Sequence, residues 1–380
     1  MEFNLSERDI EVRNLARDFA ENEIAPLVMK YDESQEFPFE IINKLGDMGF
    51  LGIIFPEEYG GSAFSTLEYA LIIEEISKVD PSIGLTIAAH NGLCSSHIYQ
   101  FGNESQKHKY LPDLTSGRKL GAWGLTENVS GSDASALVSY AEKKNGFYLL
   151  NGSKVFITHA GVGETAVVTA LTDKNKKEIS AFILEKGMPG FKTGKKENKL
   201  GMRASDTAEL IFENVEVPAE NLIGNEGEGF KQALKILDSG RIAIAALSLG
   251  IAEGALNASV KYSKERKQFG KNLSEFQATQ FKLAEMSTDI EAARMLIYKA
   301  AYLKDNGENI NTAASIAKLF ASEIAVKATN EAVQIHGGYG FIKEFPVEKL
   351  YRDVKLMTIG EGTSEVQKII IARNILKLFE

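Results

Sequence analysis

Proline placement constrains this chain more than any other feature. The eight prolines stand at positions 26, 38, 56, 81, 112, 189, 218 and 346, so none falls between Pro218 and Pro346. A proline inside a helix costs about 3 kcal/mol, and a stretch without one is free to form long unbroken helices. The periodicity agrees. Segment 231–260 is rich in Ala, Leu and Ile. Phe276, Leu283, Met286, Ile290, Ala293, Ile297 and Ala300 mark one face at helical spacing, and Ile316, Phe320, Ile324 and Ala328 recur four apart. Ser274-Glu275-Phe276-Gln277 has the pattern of a capping box. Asp305-Asn306-Gly307 predicts a stop, and a helix from about Asn311 is expected to end at Gly337-Gly338.

The first 110 residues also read as helices, with a capping sequence at Ser6-Glu7-Arg8-Asp9 before Ile10, Leu15 and Phe19, and apolar Ala-rich runs at 69–77 and 83–101. The middle differs. Segments 138–143 and 147–150 flank Lys144-Asn145-Gly146 and predict a hairpin. Further strand-like runs are 166–171, 179–184 and 208–217. The expected organisation is α+β: helices over 1–120, a sheet over 121–225, helices over 226–380. That order excludes a doubly wound nucleotide fold, which alternates strands and helices. It also demotes His336-Gly337-Gly338-Tyr339-Gly340, which ends a helix instead of following a strand.

With 43 Lys and Arg against 52 Asp and Glu, the net charge is −9, which disfavours a nucleic-acid partner. An average balance of 44% hydrophobic and 25% charged residues argues against disorder. No run approaches the ~20 uninterrupted apolar residues of a transmembrane helix, so membrane insertion is not expected. The acidic, helical N-terminus predicts neither signal nor transit peptide, hence a cytoplasmic location. Cys94 alone excludes an intramolecular disulfide, and the histidines at 90, 97, 108, 159 and 336 lack metal-ligand spacing. Any anionic ligand must therefore be held by local clusters. Lys261, Lys264, Arg266, Lys267 and Lys271 form one, readable as a solvated helix face or as a phosphate site in which a guanidinium contacts two oxygens.

Two loops carry groups suited to chemistry. Leu125-Thr126-Glu127-Asn128-Val129-Ser130-Gly131-Ser132-Asp133 packs hydroxyls, a carboxylate and a glycine between helices and sheet. Such a loop can hold phosphate or ring oxygens, or be a polar connector. In Thr358-Ile359-Gly360-Glu361-Gly362-Thr363-Ser364-Glu365-Val366-Gln367, Thr363 or Ser364 could cap a final helix over 365–378. Glu361 lies between two glycines, which allow a carboxylate to be presented from a bend. An acidic residue near a helix start is also ordinary dipole complementarity.

Together and in this order, these segments resemble the acyl-CoA dehydrogenase family over nearly the whole chain. The likeness rests on Pro56-Glu57-Glu58-Tyr59-Gly60-Gly61, Thr126-Glu127 with Gly131-Ser132-Asp133, Phe156-Ile157-Thr158, Glu265-Arg266 with Phe269-Gly270, Gln334-Ile335-His336-Gly337-Gly338, and Glu361-Gly362-Thr363-Ser364-Glu365. It implies an N-terminal helical domain, a middle antiparallel β-barrel or sheet domain and a C-terminal four-helix bundle. The implied reaction is FAD-dependent α,β-desaturation of an acyl-CoA thioester. Electrons would pass to electron-transferring flavoprotein, and the family's usual homotetramer is expected. Glu361 would be the base; enclosure raises a carboxylate's pKa and makes it a better one. Trp123, Leu125, Thr126, Gly131 and Ser132 would line the flavin, Ser132 also touching substrate, with Phe156, Ile157 and Thr158 over its ring. Arg266, Phe269, Gln277, Gln334, Ile335, Gly337 and Gly338 would hold the FAD diphosphate and adenosine of a neighbouring subunit. Thr363, Ser364 and Glu365 would contact FAD from the chain's own side, and Asp238, Arg241 and Gly362 would meet the acyl-CoA.

Three positions depart from the family pattern. Asn128-Val129-Ser130 replaces Pro-Gly-Ala, Phe156 stands where tryptophan is common, and Gly360 replaces a tyrosine before the base. Some branched- and long-chain members carry their base at the position of Gly240, which leaves Glu361 in that role here. Segment 83–93 carries no cation for a distal carboxylate, so a neutral acyl chain is favoured, and overall similarity leans to the short-chain, butyryl-like group. The alternatives are an acyl-CoA oxidase, a medium-chain or aromatic acyl-CoA dehydrogenase and, outside enzymes, a degenerate helical interaction module.

Overall fold

The computed structural model describes residues 4–377. Helices α1 (Glu7–Phe19), α2 (Val28–Ser34), α3 (Phe39–Asp47), α4 (Thr66–Val79), α5 (Pro81–Ala89), α6 (Ser96–Phe101) and α7 (Glu104–Thr115) come first. Strands follow: β1 (Gly121–Gly124), β2 (Tyr140–Lys143), β3 (Phe147–Thr158), β4 (Thr165–Asp173), β5 (Glu178–Glu185), β6 (Phe191–Lys196), β7 (Thr207–Pro218) and β8 (Leu222–Ile223). Helix α8 (Gly229–Glu265) leads through a small hairpin, β9 (Lys267–Gln268) and β10 (Lys271–Asn272), to α9 (Gln277–Asp305), α10 (Asn311–His336), α11 (Pro346–Asp353) and α12 (Ser364–Leu376). The expected end of the last helix at residue 378 lies outside the described residues.

The proline-free stretch forms the three long helices. Helix α8 is the axis of the molecule, with residues 240–252 continuously buried. By length and composition it could cross a membrane, but 78% of its most apolar window is buried inside the protein. Its apolar residues serve packing against α4 and α10. Contact with α4 is close enough that a Cβ on Gly250 would meet the Glu74 carbonyl oxygen at 2.4 Å.

The core face of α10 holds Ile324 and Ala328 as expected, but it is centred on smaller residues than the spacing predicts. Ile316 and Phe320 are half-exposed, while Ala314, Ala317, Ala321, Ala325, Ala328 and Ala332 are buried. Small residues win there because the neighbouring helix is also Ala-rich, and close approach multiplies dispersion contacts. On α1, Ile10 and Leu15 are likewise exposed, and Val12, Ala16 and Phe19 face the core. The expected capping box at Ser274 is displaced: Asn272 and Glu275 form it around a 3₁₀ turn, and α9 starts after Phe276 without a side-chain cap.

The sheet runs β6-β7-β3-β2-β4-β5-β8, with β1 beside β4. Most pairs are antiparallel; β1–β4 and β2–β4 are parallel. The predicted hairpin is present, with the Lys144 N–H donating to the Phe147 carbonyl across the turn. One knot joins all three parts. The Lys349 ammonium of α11 contacts Asp80 at 2.9 Å and Asp353 at 2.6 Å, and Asp353 accepts the Met202 N–H from the sheet region at 2.5 Å.

Candidate active site

The final turn places Glu361 at φ +51, between Gly360 and Gly362 at φ +95. A non-glycine residue there costs roughly 1–3 kcal/mol and is held only where neighbouring contacts impose it. The contacts are visible. The Gly362 carbonyl accepts from Lys318 Nζ at 2.8 Å and Gln367 Nε2 at 2.9 Å. Thr363 caps α12, its hydroxyl accepting the Val366 N–H, and Ser364 Oγ donates to Glu323 at 2.5 Å. Both cap candidates are thus occupied structurally, and Glu365 is exposed.

The carboxylate of Glu361 folds back over α8. Its Oε2 is buried with no hydrogen-bond partner among the described residues, although the residue as a whole keeps some exposed surface. A Cβ on Gly240 would lie 2.1 Å from that oxygen, so the glycine makes the room. Burial raises the Glu361 pKa to about 7, and the cations of Lys318 and Arg241 restrain the rise. A carboxylate tuned to neutrality and lacking a partner is suited to accept a proton.

Arg241 is buried and ion-paired with Asp238, which also accepts from Asn311 Nδ2 at 2.7 Å. The arginine's Nε has no partner among the described residues. The structure therefore places Arg241 beside Glu361 instead of in an open phosphate site. Tyr69 of α4 is buried on the same side, its hydroxyl donating to the Ala88 carbonyl at 3.0 Å; burial raises its pKa, and the nearby Glu361 charge raises it further. Gly360 has ordinary contact distance to its nearest neighbour, 3.5 Å from a built Cβ to the Leu356 carbonyl, so no steric demand selects glycine there.

Phe156 interrupts β3 at a register shift, with φ +59 and its ring 67% exposed, whereas Ile157 beside it is buried and Thr158 half-buried. An aromatic ring held outward in a strained conformation has no packing explanation within this chain. It lines a cleft of about 300 Å³ with Lys199, Arg352, Leu356 and Ile359, which brings β3 to within two residues of Glu361 along the chain. A larger cleft of about 460 Å³ is lined by Glu127, Asn128 and Val129 of the candidate loop together with Glu209 and Glu213.

The 125–133 loop divides in two. Gly131 and Ser132 are exposed, with open space around Gly131. Glu127 turns inward, accepting from Lys154 Nζ at 2.6 Å and the Val138 N–H at 2.6 Å, and this cation holds its pKa low against burial. Glu127 fastens the loop to the sheet. Lys154 offers the Leu125 carbonyl a second contact at 3.2 Å. Trp123 donates to His97 Nδ1 at 3.0 Å, and His97 Nε2 in turn donates to Gln232 at 3.0 Å. His90 is fixed the same way, between the Gly121 N–H and the Leu114 carbonyl. Burial lowers both imidazoles to about 4, so they are neutral packing groups.

A second group of predicted residues lies elsewhere. The Arg266 guanidinium sits 5.3 Å from the Tyr339 ring centre, joining it to the turn after α10. Gln277, Gln334, Gly337 and Gly338 are exposed and Ile335 is buried. Phe269 at the tip of the β9–β10 hairpin is 94% exposed, and Phe341 is 87% exposed. Gln334 is sixteen residues along α10 from Lys318, roughly 24 Å at 1.5 Å per residue. Within one chain this group does not meet Glu361. Sequence reasoning missed Lys318 and Tyr69. The signal for Lys318 was a charge on the stripe of small buried residues along α10.

Family models for the N-terminal, middle and C-terminal domains of acyl-CoA dehydrogenase match residues 6–118, 122–215 and 227–376. A short-chain-specific acyl-CoA dehydrogenase of Clostridium acetobutylicum is 50% identical over 99% of this chain and 100% of its own. Butyryl-CoA dehydrogenase of Megasphaera elsdenii superposes with a TM-score of 0.97 at 48% identity, covering 99% of this chain and 100% of that one. A chain from structural work on the electron transferring flavoprotein of Acidaminococcus fermentans gives 0.98 at 52% identity, with 99% and 100% covered. Whole-length matches of this strength, on a fold of helices, sheet and helices with a buried carboxylate at its centre, have one reading: the chain belongs to the acyl-CoA dehydrogenase family.

Proposed function

We propose that this protein is an FAD-dependent acyl-CoA dehydrogenase that desaturates short acyl thioesters between Cα and Cβ, with Glu361 as the base. The observation that carries this is the unpartnered, buried Glu361 Oε2 over Gly240, tuned to about pKa 7. When bound, FAD supplies the acceptor for the β hydrogen, which leaves as hydride. Glu361 removes the α proton, and its strained turn aims the carboxylate. The thioester oxygen gains charge as that proton leaves and needs a donor aimed at it; the Glu361 N–H is our candidate.

The residues present suit the flavin. Phe156 offers a free aromatic face, Thr158 stands beside it at the end of β3, and Gly131 and Ser132 leave backbone and hydroxyl donors open. Trp123, Leu125, Thr126 and Ile157 are assigned to the flavin from the sheet side, and Thr363, Ser364 and Glu365 from the start of α12. Arg266, Phe269, Gln277, Gln334, Ile335, Gly337 and Gly338 would serve the flavin of a neighbouring subunit in a homotetramer, for which the bare Phe269 and Phe341 rings are the support. Asp238, Arg241, Gly362 and Ser132 are assigned to the acyl-CoA; for Arg241 the role is at the thioester end, since its guanidinium is buried. The wholly buried α5, with neutral His90 following it, supports an uncharged acyl chain. Electron-transferring flavoprotein is the proposed acceptor, supported by the Acidaminococcus match, and the bacterial relatives support a cytoplasmic setting.

Anaerobic mixing of holoenzyme with butyryl-CoA tests the assignment. Wild type should bleach the flavin, and Glu361→Gln should bind the thioester without bleaching. Undiminished bleaching in that variant overturns the assignment of the base.

A further inference from the structure

Lys318 of α10, beside the bend that carries Glu361, is fully buried. A buried ammonium is expensive unless an opposite charge compensates it. Its three N–H groups make one hydrogen bond to protein, to the Gly362 carbonyl at 2.8 Å, and its Nζ is not within ion-pairing distance of any carboxylate among the described residues. Of the acidic groups around it, Glu361 acts on it most strongly, ahead of Glu323 on its own helix and Glu365 on α12; burial pulls Lys318 itself down to about 8. The other groups facing Glu361 are Arg241 of α8, already paired with Asp238, and the neutral Tyr69 of α4. A lysine needed only to bond one carbonyl is redundant, because Gln367 Nε2 bonds the same oxygen.

We propose that Lys318 is a positioning residue for the base: it pins the bend that presents Glu361, and its ammonium keeps that carboxylate in the ionised, proton-accepting form. This rests on Glu361 being the base. A positive neighbour favours the anion, and removing it lets burial act with less opposition, so the carboxylate should hold its proton to higher pH. Lys318→Gln keeps a donor for the Gly362 carbonyl but loses the charge. Lys318→Met loses both, and Lys318→Arg keeps the charge.

The test is the titration of Glu361 in holoenzyme without substrate, read as the carboxyl C=O stretch in infrared difference spectra against Glu361→Gln, alongside the pH profile of flavin bleaching by butyryl-CoA. In Lys318→Gln and Lys318→Met both midpoints should rise by about one pH unit or more; Lys318→Arg should restore them. A purely structural lysine would lower the rate equally at every pH. Superimposable titrations in wild type and Lys318→Gln overturn the proposal. Bleaching that survives in Glu361→Gln instead removes the reading beneath it, so the two failures are distinct. Should Lys318→Met not fold, the Gln and Arg pair still decides.

Discussion

Gly240→Ala is the sharpest test of how Glu361 is housed. The added methyl would stand 2.1 Å from Glu361 Oε2 and 3.1 Å from its Cδ, where ordinary contact begins at 3.4 Å. Something must move by at least about 1.3 Å. Helix α8 cannot, since residues 240–252 are buried without interruption. The Glu361 backbone is also held, through the two bonds to the Gly362 carbonyl. The displacement therefore falls on the side-chain torsions of Glu361, which are soft. For stability the terms nearly cancel: alanine gains about 1 kcal/mol in helix propensity, against about 1–3 kcal/mol for crowding a packed site. For chemistry they do not. A misplacement near 1 Å costs about 10²-fold in rate, or about 2.7 kcal/mol of barrier. Anaerobic stopped-flow at saturating butyryl-CoA should show bleaching about a hundredfold slower, with the denaturation midpoint little changed. Glu361→Asp shortens the side chain and should cost less in the Gly240→Ala background than alone, because the shorter acid clears the methyl. Bleaching within a few-fold of wild type, or strict additivity in the double variant, refutes the steric argument.

Glu361→Gln should also be more stable than wild type at neutral pH. The folded pKa of about 7 lies above the ordinary 4.5, so ionising Glu361 costs stability as pH rises through that window, up to about 3 kcal/mol; urea midpoints at pH 7.5 and about pH 4 should differ in this advantage, and an equal difference at both refutes it. Lys349→Met leaves Asp80 and Asp353 buried and facing each other, and should cost about 3–5 kcal/mol, partly recovered in acid as the carboxylates take up protons; an unchanged urea midpoint at neutral pH counts against the knot. Phe269→Ser removes a ring that is 94% exposed, so far-ultraviolet circular dichroism should be unchanged while the mass by light scattering and the FAD content both fall. Retention of both would mean that the hairpin tip touches no other subunit.

Much of this architecture was legible because it depends on local rules. A stretch without proline became three long helices, an Asn-Gly pair became a hairpin, and Gly360-Glu361-Gly362 became the bend that its glycines implied. The misreadings share one cause, which is that burial is decided by partners far away in sequence. Ile316 and Phe320 fall on the expected apolar stripe, but the close contact with α8 is filled mostly by Ala and Ser, with Ile324 the large apolar residue of the stripe that stays buried. Strand β6, Phe-Lys-Thr-Gly-Lys-Lys, has no apolar run to announce it, as suits a charged edge strand. The capping box moved because Asn272 and Ser274 both precede an acid or amide by three residues, and only the path of the chain chooses between them. At the site, the glycine-flanked turn that presents Glu361 was readable from the motif. The tuning of that carboxylate was not, because Lys318, Tyr69 and Gly240 reach it from three separate helices.

The knot of Lys349, Asp80 and Asp353 also sets a timetable. Asp80 and its cation are 269 residues apart, and synthesis at 5–20 residues per second puts roughly 13 to 54 s between them. Throughout that interval the start of α5 carries a carboxylate whose native counter-charge has not yet left the ribosome. Helix α4 waits similarly for α8, its main packing surface. The N-terminal third therefore lacks its main packing surface until α8 has been made, and the counter-charge of Asp80 until α11 has.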